Sequence, residues 1–522
     1  MKAINFFLER RYRVLVLIFF ALFFCLGTSI YKDYGISWDE YRQRQTGLTT
    51  VRYVFQNNPA LLTYSDRYYG AAFEVLLIAI EVFLKLSDIR TVYLMRHLVN
   101  FLAFYISVFF FYKLCKNRFN SYKIGLLGAL FLILSPRIFA DSFYNSKDLV
   151  FLSVFIISIY TLILYLNKKT LLTAIAHAIV CAFLVDTRIM GVIVPFFTIF
   201  FIFTDYLLAK THKIDKKNIL NFVVYLFILC IFTIMFWPTL WNRPLHQFVR
   251  ACMLMSRYPW KGGVFYFGHD IKAAYLPWHY IPVWIAITTP IVYIIFFFFG
   301  LYTSLKRLLI NPIQFYFQRR NDVIFMAWFF LPLISVISFR SVVYDGWRHL
   351  YFIYPAFLLI SLVGLLSFLK TIKNKFKGAV YKFTNWTIIL IVAASIINVA
   401  RFMIRFHPYQ NVYFNMLVGT MRNAKKTFEL DYWGLSYRQA LEYILKHDQD
   451  KTIKIFVESP PGWKNVSILH SKERKRLVLA KKIEDAKYFL SNYRWHEEEY
   501  SYKNEFYSIT IDGAKIMVVY KL

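Results

Sequence analysis

The amino-acid sequence predicts an all-α polytopic membrane domain of about 11 transmembrane helices, followed by a small C-terminal α/β domain. Three observations lead there. Of the 522 residues, 58% are hydrophobic and only 18% charged, with 55 Phe and a mean hydropathy of +0.45. That balance is too apolar for a water-facing core and far from a disordered composition. Apolar runs recur at the roughly 18–20 residues that cross a bilayer. Beyond residue 404 the composition changes: residues 405–522 hold 20 Lys/Arg and 14 Asp/Glu, with no run long enough to span.

Spans are read at 14–31, 92–112, 124–138, 149–166, 171–185, 189–207, 219–237, 281–301, 323–339, 348–369 and 386–404. With the N-terminus inside, the inward loops are 1–13, 113–123, 167–170, 208–218, 302–322 and 370–385. They hold 23 Lys/Arg against three acids, Glu9, Asp215 and Asp322. The positive-inside rule sets that orientation and accounts for most of the formal charge of +32, so no nucleic acid is called for. The first run follows Arg10-Arg11-Tyr12-Arg13 and lacks a small-residue cleavage site, so it reads as a retained span. Five cysteines give no disulfide, metal or redox spacing.

The division is therefore 1–404, transmembrane, and 405–522, an outward α/β domain. The first outward loop, 32–91, carries an amphipathic helix over Asp39 to Phe55 and a second over Ala71 to Leu86. Glu74 and Glu81 interrupt the second, which reads as interfacial. The second outward loop, 238–280, is rich in Trp and Pro, and membrane anchoring explains most of Trp237, Trp241, Trp260 and Trp278. In the tail, Ser436 opens a helix with a capping box reaching Lys446. Strands are read at Thr452 to Val457 and Ala486 to Leu490, and a hairpin over Phe506 to Lys521 turns at Asp512-Gly513.

Ionisable residues near spans are costly, so their placement carries information. Asp39-Glu40, Asp66-Arg67, Arg96-His97, Arg137, Asp141, Lys147-Asp148, Asp186, Arg188, Asp345 and Arg348-His349 all fall at outward ends of spans or in outward turns. Snorkelling and headgroup pairing explain some of them. Basic residues recurring on the face that disfavours them, beside carboxylates, suit binding of an anion, above all a phosphate. Asp39-Glu40 begins a helix, where acids also complement the dipole; a carboxylate there could equally serve as a general base.

The order of these parts resembles the GT-C superfamily of membrane glycosyltransferases, in the branch of protein O-mannosyltransferases and lipid A aminoarabinose transferases (glycosyltransferase family 39-like). The resemblance covers about 1–435. It is carried by Gly35-Ile36-Ser37-Trp38-Asp39-Glu40-Tyr41, by Arg96 opening a span, by Ser135-Pro136-Arg137-Ile138-Phe139 through Phe143-Tyr144-Asn145-Ser146-Lys147-Asp148, by Leu276-Pro277-Trp278-His279-Tyr280-Ile281-Pro282, by Asp345-Gly346-Trp347-Arg348-His349 and by His407-Pro408-Tyr409-Gln410. It implies a polyprenyl-phosphate-linked sugar donor, inverting transfer on the outward face, and a glycan, lipid or protein Ser/Thr as acceptor. Asp39 matches the family's catalytic aspartate and Glu40 the neighbouring acid. Arg96, Arg137, Lys147 and Arg348 would hold the donor phosphate. Asp148, Asp66, Arg67 and His349 would support the site, Asp148 by pairing with Lys147 or Arg137.

The family's aminoarabinose transferases carry Glu-Lys-Pro in the first loop, where a metal can bind; here Asp66-Arg67-Tyr68-Tyr69-Gly70 stands instead. A divalent metal is left open, with His269-Asp270 as its candidate ligands and a hydrogen-bonded loop as the alternative. A transporter or flippase for lipid-linked glycans is the rival class, but no internal repeat or mid-membrane charge is visible. A structural anchor for the tail would not need the charged outward turns, and a polymerase or ligase with a diphosphate-linked donor is separated poorly. Abundant Lys, Asn, Ile and Phe fit an AT-rich genome and hence a bacterial inner membrane.

Overall fold

The computed structural model describes residues 2–208, 215–256 and 258–522, without the side chains of residues 2–10. Residues 209–214 of the inward loop, residue 257 of the second outward loop and the side chain of Glu9 therefore lie outside the described residues. In chain order the helices are α1 (Lys2–Ile30), α2 (Glu40–Gln56), α3 (Ala72–Phe83), α4 (Ile89–Phe119), α5 (Tyr122–Ile133), α6 (Pro136–Tyr144), α7 (Asp148–Lys168), α8 (Leu171–Thr187), α9 (Ile193–Leu207), α10 (Lys216–Phe236), α11 (Pro244–Ser256), α12 (Tyr280–Thr288), α13 (Ile291–Ile310), α14 (Pro312–Ser338), α15 (Tyr354–Lys375) and α16 (Gly378–Arg405).

Among the described residues, nine helices are long and apolar enough to cross a bilayer; α5 with α6, bent by 69°, gives a tenth segment, and α8 is an apolar helix of 17 residues. The chain is a multi-pass membrane protein. Leu17, Leu22, Phe227 and Leu390 are more than half exposed on α1, α10 and α16, as lipid-facing side chains are.

Two predicted spans are broken. The run at 124–138 stops at Ser135, and the run at 281–301 stops at Thr289, each just before a proline. Proline crowds the preceding residue out of the helical region, and both Ser135 (ψ 95°) and Thr289 (ψ 140°) are extended. The free carbonyls at the end of α12 are not left bare: Asn415 Nδ2 donates to those of Ala286 and Thr289, both at 2.6 Å.

Helix packing is tightest between α13 and α15. A Cβ on Gly364 would lie 1.8 Å from the Phe296 carbonyl oxygen, and one on Gly300 would lie 2.1 Å from that of Ile360. Small residues let the two backbones touch. At one end of the bundle Arg118 pairs with Asp322, joining two loops read as inward, and Arg320 pairs with Asp205 near the end of α9.

At the other end lie α2, α3 and the C-terminal unit. The acids of α3 do not face a membrane surface: Glu74 is buried against Arg96, and Glu81 pairs with Arg44 of α2. A hairpin, β1 (Gly263–Tyr266) and β2 (His269–Lys272), precedes α12. Beyond α16 come helices α17 (Met421–Thr427) and α18 (Tyr437–His447). A mixed sheet of β3 (Ile453–Val457), β4 (Leu477–Leu479), β5 (Tyr488–Ser491), β6 (Glu505–Ile511) and β7 (Ala514–Lys521) runs in the order β4-β3-β5-β7-β6. Asp512 (φ 41°) and Gly513 (φ 86°) form the turn of the β6–β7 hairpin. Ser436 does not cap α18 as its capping box predicted; its hydroxyl donates to Asp431 instead. The unit is stitched to the first outward loop by Asn465, which exchanges hydrogen bonds with the Ile36 backbone (2.8 and 2.9 Å), and by Arg438, which donates to the Tyr34 carbonyl.

Gly364→Val should force α13 and α15 apart and cost about 1–3 kcal/mol; a lower unfolding temperature in detergent than for Leu365→Val checks it.

Candidate active site

Asp39 and Glu40 are consecutive, yet they face different surroundings. Asp39 is the N-cap of α2, but its side chain makes no bond to its own helix. Its carboxylate is 30% exposed and accepts from Arg348 at 2.9 Å. Glu40 is turned inward, 1% exposed, where it accepts from the Ser37 amide (2.7 Å) and contacts His97 Nε2 (2.9 Å). Glu40 thus fixes the turn that aims Asp39 outward.

Arg348 lies at the start of the 3-10 turn Arg348–Ile353 that leads into α15. It also donates to Asp148 and to Asp345, each at 3.1 Å, and its guanidinium sits between the rings of Tyr344 and Trp433. The Asp345-Gly346 turn, with φ of 56° and 71°, folds Asp345 back onto Arg348. Asp148, the first residue of α7, pairs on its other oxygen with Arg188 at the end of α8, not with Lys147 or Arg137 as expected. Asp345 passes its second oxygen to Arg494 of the C-terminal unit at 2.8 Å.

Lys147 makes no ion pair among the described residues; its ammonium stands 3.0 Å from the Tyr69 ring centroid. Burial, reinforced by Arg188, holds its pKa well below the usual lysine value, although Asp39 opposes this. Burial would raise the Asp39 carboxyl, but Arg348, Lys147 and Lys464 outweigh it and hold the group below the ordinary aspartate range. The Nε–H groups of Arg348 and Arg188 are buried without an acceptor among the described residues. The result is an ionised carboxylate open to solvent beside three cations, with donors to spare for an anion.

The remaining predicted residues divide. His349 stacks edge-on against Tyr344, within the group. Arg137, on α6, donates through Nε to the Tyr413 carbonyl and lies over the rings of Trp284 and Phe414, with one Nη buried without an acceptor among the described residues. Arg96 is fully buried on Glu74, which also accepts from Ser146, so it stands apart from the Asp39 group. Asp66 pairs with Arg42, and Arg67 folds over Tyr68 and onto the Tyr64 carbonyl. His269 and Asp270 are exposed on β2, and among the described residues no three His, Cys, Asp or Glu converge as metal ligands. Of the expected anchors, Trp237 is buried with its indole on the Arg67 carbonyl, and Trp260 stacks on Tyr344 at 4.2 Å.

Sequence reasoning placed Arg188 and Asp345 among the outward charges without joining them to the site. Arg494 and Lys464 it missed altogether. The only local sign was the aromatic run around each, Tyr493 to His496 and Trp463.

No family model matches the chain, and no curated protein does. Among solved structures it is similar to ArnT from Cupriavidus metallidurans bound to undecaprenyl phosphate, at 10% identity over 97% of this chain and 98% of that one, TM-score 0.47. It is also similar to the Archaeoglobus fulgidus oligosaccharyltransferase tethered with an acceptor peptide, at 11% identity, TM-score 0.46, over 78% of this chain; it spans 55% of that protein's length. The reading of the site rests on its own residues.

Removing Arg348 takes from Asp39 its one ion-pair partner among the described residues and from Asp148 and Asp345 one of two, so Arg348→Met should destabilise the protein by about 3–5 kcal/mol. Because the folded Asp39 pKa is depressed, its contribution to stability is present above about pH 4 and is lost as pH falls through the folded value. In Arg348→Lys that loss should begin at a higher pH; unfolding temperatures measured as pH is lowered check both.

Proposed function

We propose that the protein is a glycosyltransferase of the polyprenyl-phosphate-sugar-dependent kind, moving a hexosyl or pentosyl group to an acceptor hydroxyl at the Asp39 end of the bundle. The observation that carries the reading is a part-exposed Asp39 carboxylate paired with Arg348, with the Lys147 amine and Arg188 within electrostatic reach, at one end of a multi-pass fold. The motif order read from the sequence supports it.

In this mechanism the acceptor oxygen attacks C1 of the sugar from the side opposite the phosphate. The C1–O bond to the phosphate breaks as the new C1–O bond forms, with inversion, and polyprenyl phosphate leaves with the bonding pair. Lys147, Arg188 and Arg348 neutralise the charge growing on that phosphate. Asp39 receives the acceptor's proton. A carboxylate held below the ordinary aspartate range is a weak base, so transfer comes late, once the attacking oxygen has become acidic. Phosphate binding would also draw Arg348 from Asp39 and strengthen the base. Arg137 and His349 shape the pocket, while Glu40 and Asp148 hold the reacting groups in place.

The basic loops at the opposite end favour an extracytoplasmic Asp39 face in a bacterial inner membrane. The reading needs no metal among the residues named.

Release of radiolabelled sugar from a panel of polyprenyl-phosphate sugars, with cell extract as acceptor, tests it. Asp39→Asn should lower turnover about a hundredfold to ten-thousandfold, while Lys147→Ala and Arg188→Gln should raise the donor KM about tenfold. No release from any donor by folded wild type would overturn the reading; equal turnover in Asp39→Asn would remove Asp39 as the base.

A further inference from the structure

Four aromatic side chains gather at the Asp39 turn. Trp38 and Tyr41 flank the acidic pair, and Trp463 and Trp495 come from the C-terminal unit. Trp38 meets Trp495 edge-on with ring centroids 5.8 Å apart, and Tyr41 meets Trp463 in the same way at 6.0 Å. Trp495 is 52% exposed, Tyr41 43% and Trp463 41%. Large rings left in water lose the free energy of burial; each edge-on pair covers part of one ring face, and the Lys464 ammonium lies 5.6–5.9 Å from the centroids of Trp38, Tyr41 and Trp463.

The backbone is strained to hold this arrangement. Tyr493 (φ 58°) and Trp495 (φ 62°) both lie in the left-handed region, which bulky residues avoid. Arg494 between them is pinned to Asp345 and to the Tyr432 carbonyl, so the strain presents Trp495 beside Trp38. Polar donors are interleaved with the rings. Lys464 donates to the Trp38 carbonyl at 2.6 Å, and the Arg494 guanidinium lies 4.7 Å from Trp38 and 5.0 Å from Trp495.

Exposed aromatic surface beside cationic donors matches a sugar ring, whose C–H face stacks on an aromatic plane while its hydroxyls take hydrogen bonds. We propose that this aromatic cluster is the acceptor subsite and that the acceptor is a glycan, its sugar ring lying on these rings with a hydroxyl directed to Asp39. The inference rests on the glycosyl-transfer reading. It assigns the cluster to the acceptor because two rings belong to the Asp39 turn and two to the unit beyond the last span, which holds no apolar run long enough to cross a bilayer. A membrane surface is the competing occupant, but it would not account for rings tied by Arg494 and Lys464 to the carboxylate turn.

Retention of the full-length protein in detergent on an array of neutral oligosaccharides tests the proposal. Wild type should bind a subset of glycans. Trp463→Ala and Trp495→Ala should each weaken that binding about tenfold, Trp495→Tyr should recover most of it, and Trp386→Ala, exposed on α16, should leave it unchanged. No retention by folded wild type, or equal retention by both alanine variants, would overturn the proposal. So would quenching by brominated lipid in nanodiscs of the emission lost in Trp495→Phe, which would make the ring a membrane contact. Array binding needs no donor. Glycan binding without donor turnover would therefore leave a glycan site but sink the transfer reading and with it the acceptor role, and turnover without glycan binding would sink the acceptor subsite alone.

Discussion

The buried guanidinium of Arg348 is the constraint on which the outward end depends. It bonds three carboxylates from three segments: Asp39 from the first loop, Asp148 from α7 and Asp345 from its own turn. Two of these pass their second oxygen to a further cation, Arg188 or Arg494. A buried charge is tolerated only when its partners are all in place, and losing one leaves another uncompensated. The span helices, the first outward loop and the C-terminal unit are therefore held in one arrangement by alternating charge, in addition to apolar packing.

The helix breaks serve the same end. The 69° bend at Ser135-Pro136 lays α6 across the bundle, with all nine of its residues buried, and delivers Asn145 to Asp148 at the top of α7. Asn145 then accepts from the amides of Lys147 and Asp148 and donates to Asp148, fixing the cationic turn. Irregular backbone at membrane depth persists only where protein satisfies its polar groups, as Asn415 does at the second break.

The C-terminal unit is more than a cap. Arg494 completes the charge chain through Asp345, and Lys464 braces the Trp38 carbonyl next to Asp39. The turn carrying the carboxylate is thus clamped from both sides, by Glu40 and His97 below and by Asn465 and Lys464 above.

What the sequence by itself determined is what depends on local composition and period. Apolar runs mark the spans, the Lys/Arg bias marks the loops, Asp39 opens a surface helix, and Asp512-Gly513 turns a hairpin, each from contiguous residues. Proline at 136 and 290 marks both breaks, and the run at 124–138 is in itself short for a span, which fits its break. Which basic residues share a site was decided only by the tertiary structure. Arg96 and Arg188 look alike along the chain, but one is buried on Glu74 and the other joins Asp148. Arg494 meets Asp345 across 149 residues. Charge pairing acts over a few ångströms in space and leaves no period in the sequence, so only the packed helices could choose the partners.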